Sequence, residues 1–329
     1  MSDTSHQAPS SQVPDRLRYF PVSFFAVVMG CMGLTLAWQK ASVVLQFSAL
    51  PSQLLLGLSA ITFIAISAIY LLTIIKHRDV LSKEFHHPVK LSFFPAFSIG
   101  LILSSVATLE FSHSLSELLL LVGAALQLAF TLSVLVRWIH HSHFQVNHST
   151  PAWFIPVVGN ILVPIAGVEH GYVELSWFFF SLGLLFWLIL KTMVFNRLTF
   201  HDPLPEKLLP TLFIFIAPPA VGFISYLKLQ GGELDSFARI LFYIASFLVL
   251  LMLVQLPRFT KLSFYMSWWA YSFPLAAFTI SVLLMYQLTG FDFFLYQGVM
   301  MLIVVTSIVL LLLYKTVCAV RKGAVFEVD

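Results

Sequence analysis

The chain has 329 residues, of which 59% are hydrophobic and only 10% charged, whereas a water-soluble domain carries about a quarter charged residues. With a mean hydropathy of +0.92 it cannot coat a globular surface for water, so the composition points to an all-α polytopic membrane protein. A formal net charge of +3, with the basic residues spread thinly along the chain, argues against a nucleic-acid partner. Cys31 and Cys318, nearly the whole chain apart, form neither a disulfide framework nor a zinc motif and read as buried apolar fillers.

Residues 1–18 are polar, rich in Ser, Gln and Pro, and include Asp3 and Asp15. They lack the basic start and short apolar core of a cleaved signal and are expected to form a disordered cytoplasmic tail. Ten apolar stretches follow, matched to the roughly 20 residues that a helix needs to cross a ~30 Å bilayer core. They cover residues 20–38, 51–75, 91–109, 115–139, 153–168, 173–195, 208–227, 236–256, 264–288 and 291–316. Together they predict one transmembrane domain over residues 19–317, followed by a short cytoplasmic tail over 318–329.

Charges on alternate connections test this division, because Lys and Arg accumulate on the cytoplasmic side of a membrane. One side receives 15 of the 18 basic residues, and the other only Lys40, Lys228 and Arg239. The acidic residues divide 8 to 7, giving balances of +7 and −4. The asymmetry predicts an even number of crossings, both termini in the cytoplasm, and residence in the plasma or inner membrane.

Proline supplies a second regularity. The odd segments carry it internally: Pro95 in the third, Pro156 and Pro164 in the fifth, Pro218 and Pro219 in the seventh, and Pro274 in the ninth. The even segments have it only at their ends, as Pro51 and Pro257, while the first segment gains flexibility from Gly30 and Gly33. Proline deletes a backbone hydrogen bond and kinks a helix, and freed carbonyls are tolerated at membrane depth only against protein or a watery cavity. The odd segments are therefore expected inside, around a lumen, and the even ones outside against lipid. The central portions of the odd segments contain no Asp, Glu, Lys or Arg. Such a pathway fits passive flow better than tight ion coupling, which uses intramembrane ionisable groups.

In the ninth segment the uncharged run extends from Leu262 to Phe291, and a 1.5 Å rise sets Phe273 about 16 Å beyond Leu262, near the membrane centre. Phe273 beside Pro274 is the candidate gate, a bulky ring that closes a pore by occlusion or dewetting; the alternative is a packed core ring. Histidines gather at His77, His86 and His87 and again at His140, His141, His143 and His148, both in predicted cytoplasmic loops. Their spacings match no closed metal site; solvated loop and pH-sensitive charge are the other readings. Asn147-His-Ser149 matches a glycosylation acceptor on the wrong predicted side for use. No nucleotide-binding or hydrolase motif is present, and the sequence implies neither an enzyme nor a cofactor.

Several short runs carry a family likeness: Gly33-Leu-Thr-Leu-Ala-Trp38, His87-Pro-Val-Lys-Leu-Ser-Phe93, Pro156-Val-Val-Gly-Asn160, Ala217-Pro-Pro219 and Trp269-Ala-Tyr-Ser-Phe-Pro274. In their order and spacing the chain resembles the tellurite-resistance and dicarboxylate transporter family, which includes bacterial TehA and the plant slow anion channels. The resemblance implies ten transmembrane helices as five helical hairpins in quasi-fivefold arrangement around a central pore, odd helices inside, assembled as a homotrimer with one pore per protomer. It matches the family's pore-blocking phenylalanine to Phe273 and a pore-facing aromatic to Phe25. Phe97, Gly159 and Asn160, with Gly30, Gly33 and the prolines at 156, 164, 218 and 219, complete the expected lumen wall. The expected partners are membrane lipid and small inorganic or organic anions. The function implied is an anion channel or channel-like permease; a secondary carrier of small dicarboxylates or oxyanions is the alternative. The long regulatory tails of the plant members have no counterpart in this sequence.

Overall fold

The computed structural model describes residues 16–140 and 144–325, within which the regular elements are helices. Residues 1–15 of the expected amino-terminal tail, His141 and His143 of the second histidine group, and residues 326–329 lie outside the described residues. Arg16–Tyr19 forms a 3-10 turn. The first segment opens with a 3-10 turn, Val22–Phe24, and continues as α1, Phe25–Leu45. It is followed by α2, Leu50–Lys76, and by a short connecting helix, α3, Arg78–His86. The third segment is a 3-10 turn, Lys90–Phe93, running into α4, Pro95–Thr108. The fourth is α5, His113–His140.

The fifth segment, Pro151–Gly167, is the shortest apolar stretch and alternates 3-10 turns with two short helices. These are α6, Ile155–Val158, and α7, Val163–Gly167. Next come α8, Val173–Phe200, an eleven-residue 3-10 helix, Glu206–Ile216, and α9, Ala217–Leu229. Then α10, Ser236–Val254, leads through a single turn, α11, Leu256–Phe259. The ninth segment joins the 3-10 helix Met266–Tyr271 to α12, Ser272–Thr289, and α13, Asp292–Lys322, completes the described chain. Among the described residues, nine helices are long and apolar enough to cross a membrane, with Pro151–Gly167 as a tenth, shorter apolar element.

Two features differ from the sequence expectation. The last helix passes residue 316 and ends at Lys322, where Gly323 adopts a left-handed cap at φ 76°, a conformation that costs glycine no Cβ clash. The prolines expected to kink continuous helices instead stand in the first turn of α-helical pieces. Pro95 opens α4, Pro156 and Pro164 are second residues of α6 and α7, Pro218 and Pro219 begin α9, and Pro274 is the third residue of α12. In the first turn of an α-helix the N–H has no intrahelical partner, so proline sacrifices nothing there. Each of these prolines therefore stands just after a change from 3-10 to α-helix, a change the fifth segment makes twice.

Burial separates the two sets of segments. In the long odd segments, 72–78% of the most apolar window is buried within the protein; in the even segments the share is 22–33%. A helix apolar all round and buried on all sides belongs to a core, whereas one apolar all round and exposed within a chain of this composition belongs against lipid. The inner elements also touch in sequence. α1 packs on α4, α4 on the fifth segment, the fifth on α9, α9 on α12, and α12 returns to α1. Each inner element carries the following even helix on its outer side, as in the pairs α1 with α2, α4 with α5 and α12 with α13.

Candidate permeation site

At the centre of the inner set lies a cavity of about 50 Å³ whose wall draws on all five odd segments, room for a few water molecules at roughly 10–15 Å³ each. Ala26 and Met29 come from α1, Ile99 from α4, Gly159 and Leu162 from the fifth segment, Thr211 and Ile214 from the seventh, and Trp269, Phe273 and Pro274 from the ninth. Among the described residues, no Asp, Glu, Lys, Arg or His lines it, and its polar side chains include the hydroxyls of Thr211 and Ser267. Such a wall offers an ion neither a fixed charge nor a titrating partner.

Phe273 borders the cavity and is 93% buried, its relative exposure being 7%. The start of α12 that carries it is held from both sides. Trp269 donates its indole Nε1–H to Thr316 Oγ1 of α13 at 2.9 Å, and Ser272 Oγ donates to the Trp269 carbonyl at 2.6 Å. On the other side α1 presents glycine, and a Cβ on Gly33 would stand 3.2 Å from the Phe273 ring. Gly30, against Trp269 and Ser272, and Gly33, against Phe273 and Ala276, are thus sites of close approach between the first and ninth segments.

The remaining expected wall residues lie outside the lining of this cavity. Phe25 is buried in an aromatic cluster, with ring centroids 5.3 Å from Phe97, 5.7 Å from Tyr70 and 6.4 Å from Phe63, so it faces the α1–α2–α4 seam. Phe97 shares that cluster. Asn160 is fully buried, and its Nδ2 donates to Thr131 Oγ1 on α5 at 3.0 Å. The Pro156 carbonyl accepts from Gln127 Nε2 at 2.8 Å. Pro164, Pro218 and Pro219 are buried at the starts of α7 and α9. The structure therefore brings Gly159, Phe273 and Pro274 together at the cavity, with Gly33 against the Phe273 ring and Gly30 against Trp269 and Ser272.

Two polar clusters at the ends of the helical body have no counterpart in the sequence reading. Glu84 on α3 is buried and accepts from Tyr70 Oη at 2.9 Å and from the Val22 backbone N–H at 3.3 Å. Burial pushes its carboxyl above the ordinary range, against the opposing pull of Tyr70, Val22 and Lys90. Nearby, Arg18 bonds Asp79 at 3.0 Å and Thr73 Oγ1 donates to the Leu17 carbonyl at 3.1 Å, so the stretch entering α1 is clasped to the α2–α3 elbow. Lys83 and Arg18 hold Asp79 below the usual carboxylate range. At the opposite ends of the helices, His170 Nδ1 lies 3.0 Å from His113 Nε2, and His170 Nε2 lies 2.9 Å from the buried Ser116 Oγ. Burial and then the neighbouring His113 lower the affinity of His170 for a proton. Among the described residues no group of three metal-ligating side chains gathers.

The profile of the family described as voltage-dependent anion channel (SLAC1) matches residues 19–317. The chain belongs to that family. Its similarity to the S-type anion channel SLAH3 of Arabidopsis thaliana is 28% identity over 281 residues, covering 82% of this chain and 43% of SLAH3. The guard cell S-type anion channel SLAC1 of the same plant is 25% identical over 282 residues, 83% of this chain and 50% of that protein. The tellurite resistance protein TehA homolog of Haemophilus influenzae is 26% identical over 311 residues, 93% of this chain and 92% of that protein. The chain thus spans about half the length of these two plant relatives and nearly the whole of the bacterial one. The stretch shared with the SLAC1 family contains all five inner segments and every cavity residue.

Proposed function

We propose that the protein is an anion-selective channel or channel-like permease with a pore in each protomer, closed by the ring of Phe273. The observation that carries this reading is the convergence of five inner segments on a cavity free of ionisable side chains, with Phe273 on its wall. A dry, apolar constriction stops ions by dewetting and opens once the bulky group moves. The contact circuit from α1 through α4, the fifth segment, α9 and α12 supports five hairpins in quasi-fivefold arrangement around that pore. The names of the relatives support small anions as the permeant class, and the exposed apolar faces of the even helices support lipid contact and assembly as a homotrimer. The charge asymmetry supports a plasma or inner membrane orientation with both termini cytoplasmic.

Purified protein in planar bilayers, recorded under gradients of chloride, nitrate, malate and sulfite, tests the proposal. Unitary anion currents are expected. Flux that saturates, follows a pH gradient and shows no unitary conductance would replace the channel with a secondary carrier.

A further inference from the structure

Gln127 sits in the middle of α5, on a helix whose surface is otherwise largely exposed and apolar, yet it is fully buried. A primary amide taken from water into an apolar interior is costly unless its donors and acceptor are paired. Here the amide reaches into both neighbouring inner segments. Its Oε1 accepts from Ser98 Oγ of α4 at 2.6 Å, and its Nε2 donates to the Pro156 carbonyl of the fifth segment at 2.8 Å. One turn later Thr131 Oγ1 lies 2.7 Å from both the same Pro156 carbonyl and the Gln127 carbonyl, between which its one hydrogen is shared, and accepts from Asn160 Nδ2 at 3.0 Å, which itself lies 3.4 Å from the Pro156 carbonyl.

The acceptor at the centre of this network belongs to the break in the fifth segment. After α6 the backbone passes into the 3-10 turn Gly159–Leu162, where pairing tightens from four residues back to three, and side chains of α5 take up the Pro156 carbonyl. The amide head also lies directly behind the cavity wall. A Cβ on Gly159 would fall 2.5 Å from Gln127 Nε2 and 2.7 Å from Ile99 Cγ1, and both Gly159 and Ile99 line the cavity.

A backbone carbonyl presents the negative end of its dipole, the feature by which selectivity filters bind cations. In a wall of low dielectric an unpaired carbonyl acts over several ångströms. Resting on the anion-channel reading, we propose that Gln127 and Thr131 are positioning and selectivity-determining residues of the lumen. They pin the broken fifth segment and mask the Pro156 carbonyl, so that the wall facing Phe273 favours anions over cations.

Reversal potentials of the full-length protein under a potassium chloride gradient test this, with folding and assembly matched by size-exclusion chromatography. Thr131→Val keeps the shape and removes the donor; Gln127→Met removes both amide bonds. Each is expected to lower the chloride-to-potassium permeability ratio by about threefold to tenfold, the scale of one or two ordinary hydrogen bonds. Thr131→Ser keeps the parent ratio. Thr192→Val, which deletes an equivalent hydroxyl-to-carbonyl bond on the exposed face of α8, also leaves it unchanged. Should Gln127→Met fail to assemble, Ser98→Ala and Thr131→Val decide, both shifting in the same direction. Folded variants with the parent's reversal potential, from a parent that is itself anion-selective, would overturn this inference alone. A parent that does not distinguish chloride from potassium would overturn the channel reading on which it rests.

Discussion

A Cβ atom on Gly33 would lie 3.2 Å from Cδ2 of Phe273 and 3.2 Å from Cβ of Ala276, so α1 and α12 meet backbone against ring. One turn earlier a Cβ on Gly30 would reach within 2.8 Å of Trp269 Cε3 and overlap Ser272 Oγ, while Gly57 on α2 has nothing within 4 Å. Gly30→Ala should therefore lose about 1–3 kcal/mol through overpacking. Gly33→Ala should lose less, because the ring can yield by a few tenths of an ångström, and it should change conductance by displacing Phe273. Gly57→Ala should be neutral or stabilising by roughly 0.5–1 kcal/mol from helix propensity. Thermal unfolding in detergent ranks the three, and equal stabilities would contradict the close packing of α1 on α12.

The clasp around Glu84 has a pH signature. Its proton is held more tightly in the folded protein than in the unfolded chain, whose reference value is 4.5. The folded state then binds more protons in the window above that value, so this contribution is fully present below it and fades as pH rises through the elevated folded value. Glu84→Gln keeps an acceptor for one of the two bonds from Tyr70 and Val22 and cannot ionise. A pH series of melting temperatures should be flatter for the variant than for the parent. Parallel curves would exclude the clasp as the source.

The pair His113 and His170 has the opposite slope. The proton affinity of His170 is lowered from a reference of 6.5, so the folded state favours the neutral ring. Stability is full above that value and is lost as pH falls through the lowered one. With both rings protonated, two N–H donors would face each other across a 3.0 Å gap. Melting temperatures measured downward from neutral pH should fall in the parent and fall less in His113→Gln. An unchanged acid limb in that variant would exclude the pair.

Much of the inner and outer division was legible in the sequence, because Pro95, Pro156, Pro164, Pro218 and Pro274 mark interruptions of the regular helix, which are tolerated at membrane depth against protein or a cavity, while α2, α5, α8, α10 and α13 run without one. The local form of those breaks was not. Proline is compatible with a kink and with a helix first turn alike, and which one forms depends on the 3-10 stretch before it. The rotation of each inner helix was also hidden, since segments that are apolar all round carry no facial pattern. Phe25 and Phe97 accordingly pack with Phe63 and Tyr70 at a helix seam, while Met29 and Trp269, equally apolar, line the cavity. Gln127 did carry a signal as a lone amide inside an apolar run. Its partners Ser98 and Pro156 are each 29 residues away, and only the fold joins them.

The 15-to-3 division of basic residues between alternate connections predicts both ends of the chain, with Arg16 and Lys322, on the cytoplasmic side. Reporter fusions following Lys322 and within the connections after α1 and α2 check it. A reporter after Lys322 that is active outside the cell would reverse the orientation.

Anion current through purified Phe273→Ala protein in bilayers, with thermal stability measured on the same sample, decides whether the Phe273 ring closes the lumen. If it does, current rises greatly in a protein that stays folded and assembled, with Phe273→Leu intermediate because it keeps bulk and loses the flat ring. Pro274→Ala, which keeps the ring and restores a backbone N–H in the first turn of α12, should alter the gate without abolishing it. A phenylalanine that only fills a core behaves otherwise: its truncation costs about 3–5 kcal/mol and leaves transport unchanged or reduced. A stable Phe273→Ala protein whose conductance equals that of the parent would show that the ring is not the gate.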